Sequence, residues 1–257
     1  MQRARGCWHL AGERPIFLRM DVSVFPSADL AAIEVARRIA QALAAKPVLV
    51  LALPTGRTPL PVYRELIRLQ REQRFTLGGA RTFNLDEFVG LNGADAGSFR
   101  AYMERHLFGP LGFTRADFLD GRAKHLQAEC ARYDRAIRDA GGIDLALLGV
   151  GQNGHLAFNE PANVLMEPTH IARLTRQTRL ANIEWFGGQP DAVPLEALTM
   201  GLGAIRSARR ITLLATGATK AAAVRALRAG PMTPQIPATM LRDHPALELV
   251  LDAAASG

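Results

Sequence analysis

The stretch IDLALLGVGQNGHLAFNEP, residues 143–161, decides the fold. It opens as a short, nearly continuous apolar run. Such a run, bounded by glycines and too brief for a helix, suits a strand buried on both faces of a parallel sheet. The chain then turns abruptly polar. Gly149, Gly151 and Gly154 loosen the backbone, and Gln152, Asn153, His155, Asn159 and Glu160 crowd into the positions that follow. In open α/β sheets, ligands bind outside the carboxyl ends of the strands. Hydrogen-bonding and titratable groups at the end of a core strand therefore mark a binding crevice.

Outward from this strand, apolar runs alternate with amphipathic stretches. Residues 27–45, 58–73, 98–108, 126–142 and 219–230 have helical spacing, the first with Ser27 as a capping residue. Residues 47–54, 80–88, 143–151, 209–217 and 246–252 have strand character, and a first strand and helix begin naturally at Met20. The alternation predicts an α/β fold: a single-domain, mostly parallel sheet with helices on both faces, a Rossmann-like three-layer sandwich. No repeat, linker or low-complexity segment divides the chain. Residues 20–257 are expected to form the domain, and residues 1–19, which fit the pattern poorly, a poorly ordered N-terminal extension.

Composition narrows the function classes. With 48% hydrophobic and 21% charged residues the chain has the make-up of a soluble globular protein. No apolar run approaches the roughly 18 residues a membrane span needs. The N-terminus is basic but lacks a continuous apolar core, so a cytoplasmic location is expected. Cys7 and Cys130 form no CxxC pair and are expected to be reduced thiols. A net charge of +7 raises the thought of nucleic acid. The arginines, however, are scattered among acids and alanines without a basic run, which fits attraction for small anionic metabolites better than a nucleic-acid footprint.

Three more strand ends carry candidate chemistry. After residues 47–54 come Thr55, Gly56, Arg57 and Thr58, where backbone N–H groups of a turn and helix start would face an anion. The plainer alternative is a glycine turn with Thr58 capping and Pro59 opening the helix. After residues 209–217 comes Lys220 in a first helical turn, where the helix dipole disfavours a cation unless a phosphate sits there; an exposed lysine is the alternative. After residues 80–85 come Asp86 and Glu87, adjacent and therefore pointing apart. One can face a pocket as a proton carrier while the other serves structure. In the opening stretch, His155 can move a proton near neutral pH, with Glu160 or Asn153 to fix its tautomer. A single histidine without cysteine neighbours speaks against zinc, and no dinucleotide fingerprint is present. No metal and no cofactor are expected.

LALPTGRTPLPVY (51–63), FNLDEFVGL (83–91), SFRAYM (98–103), NGHLAFNEP (153–161), TRLAN (178–182), ALTMGLGAI (197–205), GATKA (217–221) and PATMLRDHP (237–245) together resemble the glucosamine-6-phosphate deaminases. The resemblance runs from about Met20 to Asp252. The related 6-phosphogluconolactonases share the glycine–histidine loop but typically lack its Asn-Glu-Pro ending, which makes Glu160 the discriminating residue. The resemblance implies a cofactor-free conversion of glucosamine 6-phosphate to fructose 6-phosphate and ammonium. It implies that Asp86 moves the proton between the first two sugar carbons and that His155 opens the ring with Asn153 and Glu160 as partners. Lys220, Arg179 and the Thr55–Thr58 turn would hold the phosphate.

Some positions depart from the family pattern. Asn153 stands where many members have Asp, and Arg57 where others have glycine or serine. Activated members bind N-acetylglucosamine 6-phosphate through basic residues after the loop. Here His170 and Ala172 occupy the matching positions, and Arg179 would ride on a mobile lid. The expectation is an unregulated enzyme, a monomer favoured over a homo-oligomer, with a sugar phosphate as its small-molecule partner. Galactosamine 6-phosphate as substrate, lactone hydrolysis, and a non-catalytic sugar-phosphate sensor are the competing readings. Lactone hydrolysis needs no carboxylate at Asp86, and a sensor would not keep the acid–base set.

Overall fold

The structure is a computed structural model describing residues 20–257; the extension expected over 1–19 lies outside the described residues. Among the described residues there are ten strands: β1 Asp21–Phe25, β2 Val50–Leu53, β3 Arg81–Asn84, β4 Asp86–Phe88, β5 Ala116–Asp117, β6 Leu145–Leu148, β7 His170–Arg173, β8 Glu196–Thr199, β9 Arg210–Ala215 and β10 Leu247–Asp252. Seven of them form one sheet in the order β1-β10-β9-β6-β2-β3-β5, every pair parallel.

Side chains alternate across this sheet, and each face has its own core. Val50, Ala52, Phe83, Ala146, Leu148, Ile211 and Leu213 pack under helices Leu126–Asp139 and Ala221–Ala229. Leu51, Leu53, Leu145, Leu147, Leu214 and Val250 pack under helices Ala28–Ala45 and Leu60–Arg71. The first helix begins where the Ser27 hydroxyl accepts from the Leu30 N–H, at 3.3 Å. It buries Ala31, Ala32, Val35, Ala36, Ile39, Ala40 and Leu43, one continuous apolar stripe. The result is the three-layer α/β arrangement that the alternation predicts. Among the described residues no helix is long and apolar enough to cross a membrane.

Residues 80–88 are not the single strand expected. β3 pairs with β2, but after Leu85 the chain crosses to a second, antiparallel sheet of order β4-β8-β7. Leu85 is the pivot: its N–H donates to the Leu53 carbonyl at 3.3 Å and its own carbonyl accepts from the Met200 N–H at 2.7 Å. The small sheet went unread because β7 and β8 are four residues each and lie far apart in sequence. It closes over Phe88, Phe99 and Phe158; the Phe99 and Phe158 rings stack, and Phe88 packs tilted against both. The stretch expected as a lid contains β7 and helix Arg176–Asn182.

Candidate active site

In the sheet order β9-β6-β2-β3 the four strands followed by candidate residues are neighbours. Their carboxyl ends surround a cavity of about 770 Å³. Thr55, Gly56, Arg57, Thr58, Asp86, Asn153, His155 and Lys220 all line it.

The loop after β6 is wound tightly. Gly151 N–H donates to the His155 carbonyl at 2.9 Å and Gly154 N–H to the Gly151 carbonyl at 3.0 Å. Two of its glycines are required. A Cβ on Gly151 would stand 2.4 Å from the His155 ring. Gly154 has φ +84°, and a Cβ there would meet Ile236 at 2.5 Å. Non-glycine Ala157, also on the cavity wall, is held at φ +51°, a conformation alanine rarely adopts.

His155 Nδ1 lies 3.6 Å from Glu160 Oε2, within ion-pair range but longer than a hydrogen bond. Asn153 does not orient the imidazole. Its Nδ2 donates to Glu160 at 2.9 Å while its Oδ1 accepts from the His155 backbone N–H at 3.2 Å. The amide thus braces the loop and the carboxylate, and the ring is left to Glu160. Glu160 also accepts from the Thr178 hydroxyl, and from the Thr175 hydroxyl at 3.4 Å. Burial alone would raise its pKa. The His155 imidazole, the Thr178 hydroxyl and the Asn153 amide outweigh burial and hold it down at about 2. Glu160 is therefore held as a carboxylate at neutral pH.

Asp86 and Glu87 divide as adjacent strand residues must. Glu87 turns inward and accepts from Phe88 N–H, the Ser98 hydroxyl, Phe99 N–H and Arg100 N–H at 2.7–3.1 Å, capping helix Phe99–Met103. Asp86 faces the cavity, and its Oδ1 has no hydrogen-bond partner among the described residues. Burial, with the neighbouring Glu87 charge adding to it, pushes its pKa well above the ordinary carboxylate range. A buried carboxyl with a free oxygen facing the cavity is placed to take up and release a proton.

The turn after β2 is shaped by Gly56 at φ +101°. It is anchored from two sides, with Tyr102 donating to the Gly56 carbonyl at 2.6 Å and Tyr63 to the Pro54 carbonyl. Thr58 does not cap the helix, because Pro59 is the cap residue and no side chain accepts there. Lys220 ends a short 3₁₀ turn that Gly217 opens and caps helix Ala221–Ala229, and burial lowers its pKa. Among the described residues its ammonium forms no ion pair or hydrogen bond, leaving a desolvated cation on the cavity wall without a counter-charge.

The two candidate arginines are engaged elsewhere. Arg57 pairs with Glu184 across the mouth, its Nε donating at 2.5 Å. Arg179 does not line the cavity. Helix Arg176–Asn182 turns Thr178 inward and Arg179 away, so the guanidinium donates to the Pro190 carbonyl at 2.8 Å and the Val193 carbonyl at 3.1 Å. The phosphate role that the resemblance implies for Arg179 requires the guanidinium to leave these carbonyls.

Sequence reasoning missed three supports. Thr175 and Thr178 hold Glu160, and the signal for them was a Thr N-cap with a hydroxyl three residues on. Asp252 accepts from Gly217 N–H at 2.9 and 3.0 Å and from Ala255 N–H at 2.8 Å, fixing the turn that carries Lys220. A carboxylate ending the last strand was its signal.

The model of the glucosamine-6-phosphate isomerase/6-phosphogluconolactonase family matches residues 27–250. The chain is 44% identical over 222 residues to a glucosamine-6-phosphate deaminase of Bacillus velezensis, covering 85% of this chain and 91% of that protein. It is similar to the solved structure of a monomeric glucosamine-6-phosphate deaminase, with a TM-score of 0.89 and 38% identity over 92% of this chain and 99% of that one. A 6-phosphogluconolactonase from Thermotoga maritima shares the fold at a TM-score of 0.69, with 20% identity over 91% of this chain and 100% of that one.

Proposed function

The chain belongs to the glucosamine-6-phosphate isomerase/6-phosphogluconolactonase family, and on that premise we propose that it converts D-glucosamine 6-phosphate and water to D-fructose 6-phosphate and ammonium. The observation that carries this reading is Asp86, a buried carboxyl with one unpartnered oxygen on the cavity wall. Isomerisation needs a base at carbon, whereas hydrolysis of a lactone does not.

The residues divide the work by chemistry. The pyranose ring must open before the sugar can isomerise. His155 moves the proton from the anomeric hydroxyl to the ring oxygen, and the ionised Glu160 stabilises the charge the imidazole carries between the two transfers. The open-chain aldehyde acidifies the C2–H. Asp86 takes that proton while the C2 ammonium passes one of its own to O1, leaving an enol-amine, and Asp86 then returns its proton to C1. The nitrogen at C2 is then an iminium, which water hydrolyses to the ketone with release of ammonium. Lys220 and the backbone N–H groups of the Thr55–Thr58 turn hold the phosphate, supplying remote binding energy that places C1 and C2 against Asp86. When Arg57 and Arg179 exchange their present partners for the phosphate they add to the same subsite.

Ammonium release measured side by side on glucosamine 6-phosphate and galactosamine 6-phosphate tests the substrate. The reading expects the glucosamine ester to give the higher kcat/KM. A preference for the galacto epimer would overturn that assignment and keep the reaction class.

The enzyme acts as an unregulated monomer in this reading. Ala172 is buried against Phe88 and Phe158, and the His170 imidazole is half-buried beside the Pro168 carbonyl, with its pKa lowered by burial. Neither offers a cation to a second sugar phosphate, and coupling needs a differential contact there. Substrate titrations are expected to be hyperbolic and unmoved by N-acetylglucosamine 6-phosphate. A sigmoidal curve that the acetylated ester makes hyperbolic would contradict this.

A further inference from the structure

We infer that Thr178 is a positioning residue for ring opening, its hydroxyl fixing Glu160 Oε1 so that Oε2 stays aimed at His155 Nδ1. The inference rests on the reading of His155 and Glu160 as the ring-opening pair. The backbone that enters Glu160 is already set. Phe158 N–H donates to the Thr199 hydroxyl at 3.1 Å, and the Asn159 amide donates to the Leu156 and Met200 carbonyls, each at 2.9 Å. What remains to be fixed is the direction of the Glu160 side chain, and its two oxygens divide between two elements. Oε2 accepts from the Asn153 amide at 2.9 Å and faces His155 Nδ1 at 3.6 Å, both on the loop that follows β6 of the large sheet. Oε1 accepts from the hydroxyls of Thr178 and Thr175, at the start of helix Arg176–Asn182, which follows β7 of the small sheet.

A threonine hydroxyl has a single proton to donate. The Thr175 oxygen lies 3.0 Å from Thr178 Oγ1 and 3.4 Å from Glu160 Oε1, so its nearer acceptor is Thr178. It also accepts from the Thr178 N–H at 3.1 Å, the capping bond of the helix. With Thr175 donating to its oxygen, Thr178 has its own proton to give, and Glu160 receives it. The chain from Thr175 through Thr178 to Glu160 runs one way, and each link polarises the next. Thr178 is 2% exposed, so its hydroxyl has no solvent to turn to. On the other side of the carboxylate, His155 Nδ1 is buried and has no hydrogen-bond partner among the described residues. It stands just beyond bonding range of Oε2, so a small movement of the carboxylate decides whether that bond forms. A base works through an orienting partner in a fixed place. Misplacing such a group by about 1 Å costs on the order of a hundredfold in rate.

Thr178→Val keeps the shape of the side chain and removes the hydroxyl. Its kcat on glucosamine 6-phosphate is expected to fall roughly tenfold to a hundredfold, the worth of a hydrogen bond to a charged group. The alditol of glucosamine 6-phosphate, reduced at C1, has no ring to open. Its Kd should stay within about threefold, since contacts to the open chain and the phosphate are untouched. A side chain that merely shaped the cavity would weaken both. Thr178→Ser, which keeps the hydroxyl, should return most of the rate. In Glu160→Ala, adding Thr178→Val should cost less than about twofold more, since the hydroxyl acts through that carboxylate alone. Thr178→Ala should lose kcat as Thr178→Val does, which keeps the question decidable if Thr178→Val does not fold. An unmoved kcat in a folded variant overturns the inference. So does the full loss repeated in Glu160→Ala, a Kd for the alditol that weakens with kcat, or failure of both Thr178→Val and Thr178→Ala to fold. His155→Gln is measured alongside. If it and Glu160→Ala keep the rate, the ring-opening reading itself has failed, and if they lose it while Thr178→Val does not, only this inference has.

Discussion

Asp86→Asn is expected to lower kcat by at least about a hundredfold while making the folded protein more stable. The first effect follows from removing the group that carries the proton between C1 and C2, since a placed base is worth roughly 10²–10⁴ in rate. The second follows from burial. The folded pKa of Asp86 is raised, so ionising it costs the fold more than the unfolded chain. Stability is therefore lost as pH rises above the unfolded value of 3.8, and the loss is complete above the folded pKa. The amide has no such charge. The variant should melt above wild type at neutral pH, and the gap should close below the ordinary carboxylate range. Melting curves at both pH values check the sign, and a variant that keeps more than a tenth of the rate refutes the role.

Lys220→Ala is expected to raise KM by roughly 10- to 100-fold, the loss of a charge-assisted hydrogen bond to phosphate. Its kcat should fall less. The burial that lowers the lysine's pKa also means that the unliganded fold holds this cation at a cost. The linkage sign differs from the usual lysine. With the folded pKa below 10.5, stability at neutral pH is reduced and returns only as the amine deprotonates. The alanine variant should accordingly melt no lower than wild type without ligand, and phosphate should raise its midpoint less. A variant with unchanged KM and a lower midpoint would make Lys220 a structural residue.

Much of this site could be read from strand ends. Apolar runs ending in glycine, amide, imidazole and carboxylate announced β2, β3, β6 and β9, and the parallel sheet then makes those four ends neighbours. What lay beyond reading was set by long-range geometry. The switch of the chain at Leu85 depends on Leu53 and Met200, far away in sequence. Whether Asn153 orients the imidazole or braces the loop is decided by the fold of residues 151–155. Arg179 turns from the cavity because helical phase gives the inward face to Thr178, and its guanidinium reaches the Pro190 and Val193 carbonyls instead.

One cofactor-free site is expected to isomerise an amino-sugar phosphate and expel its nitrogen. The direct measurement is product stoichiometry. Purified enzyme, treated with chelator and dialysed, is supplied with glucosamine 6-phosphate, and ammonium and fructose 6-phosphate are quantified together over time. Equal amounts of both are expected, appearing at the same rate. Ammonium without fructose 6-phosphate, or no turnover alongside rapid hydrolysis of 6-phosphogluconolactone, would contradict it.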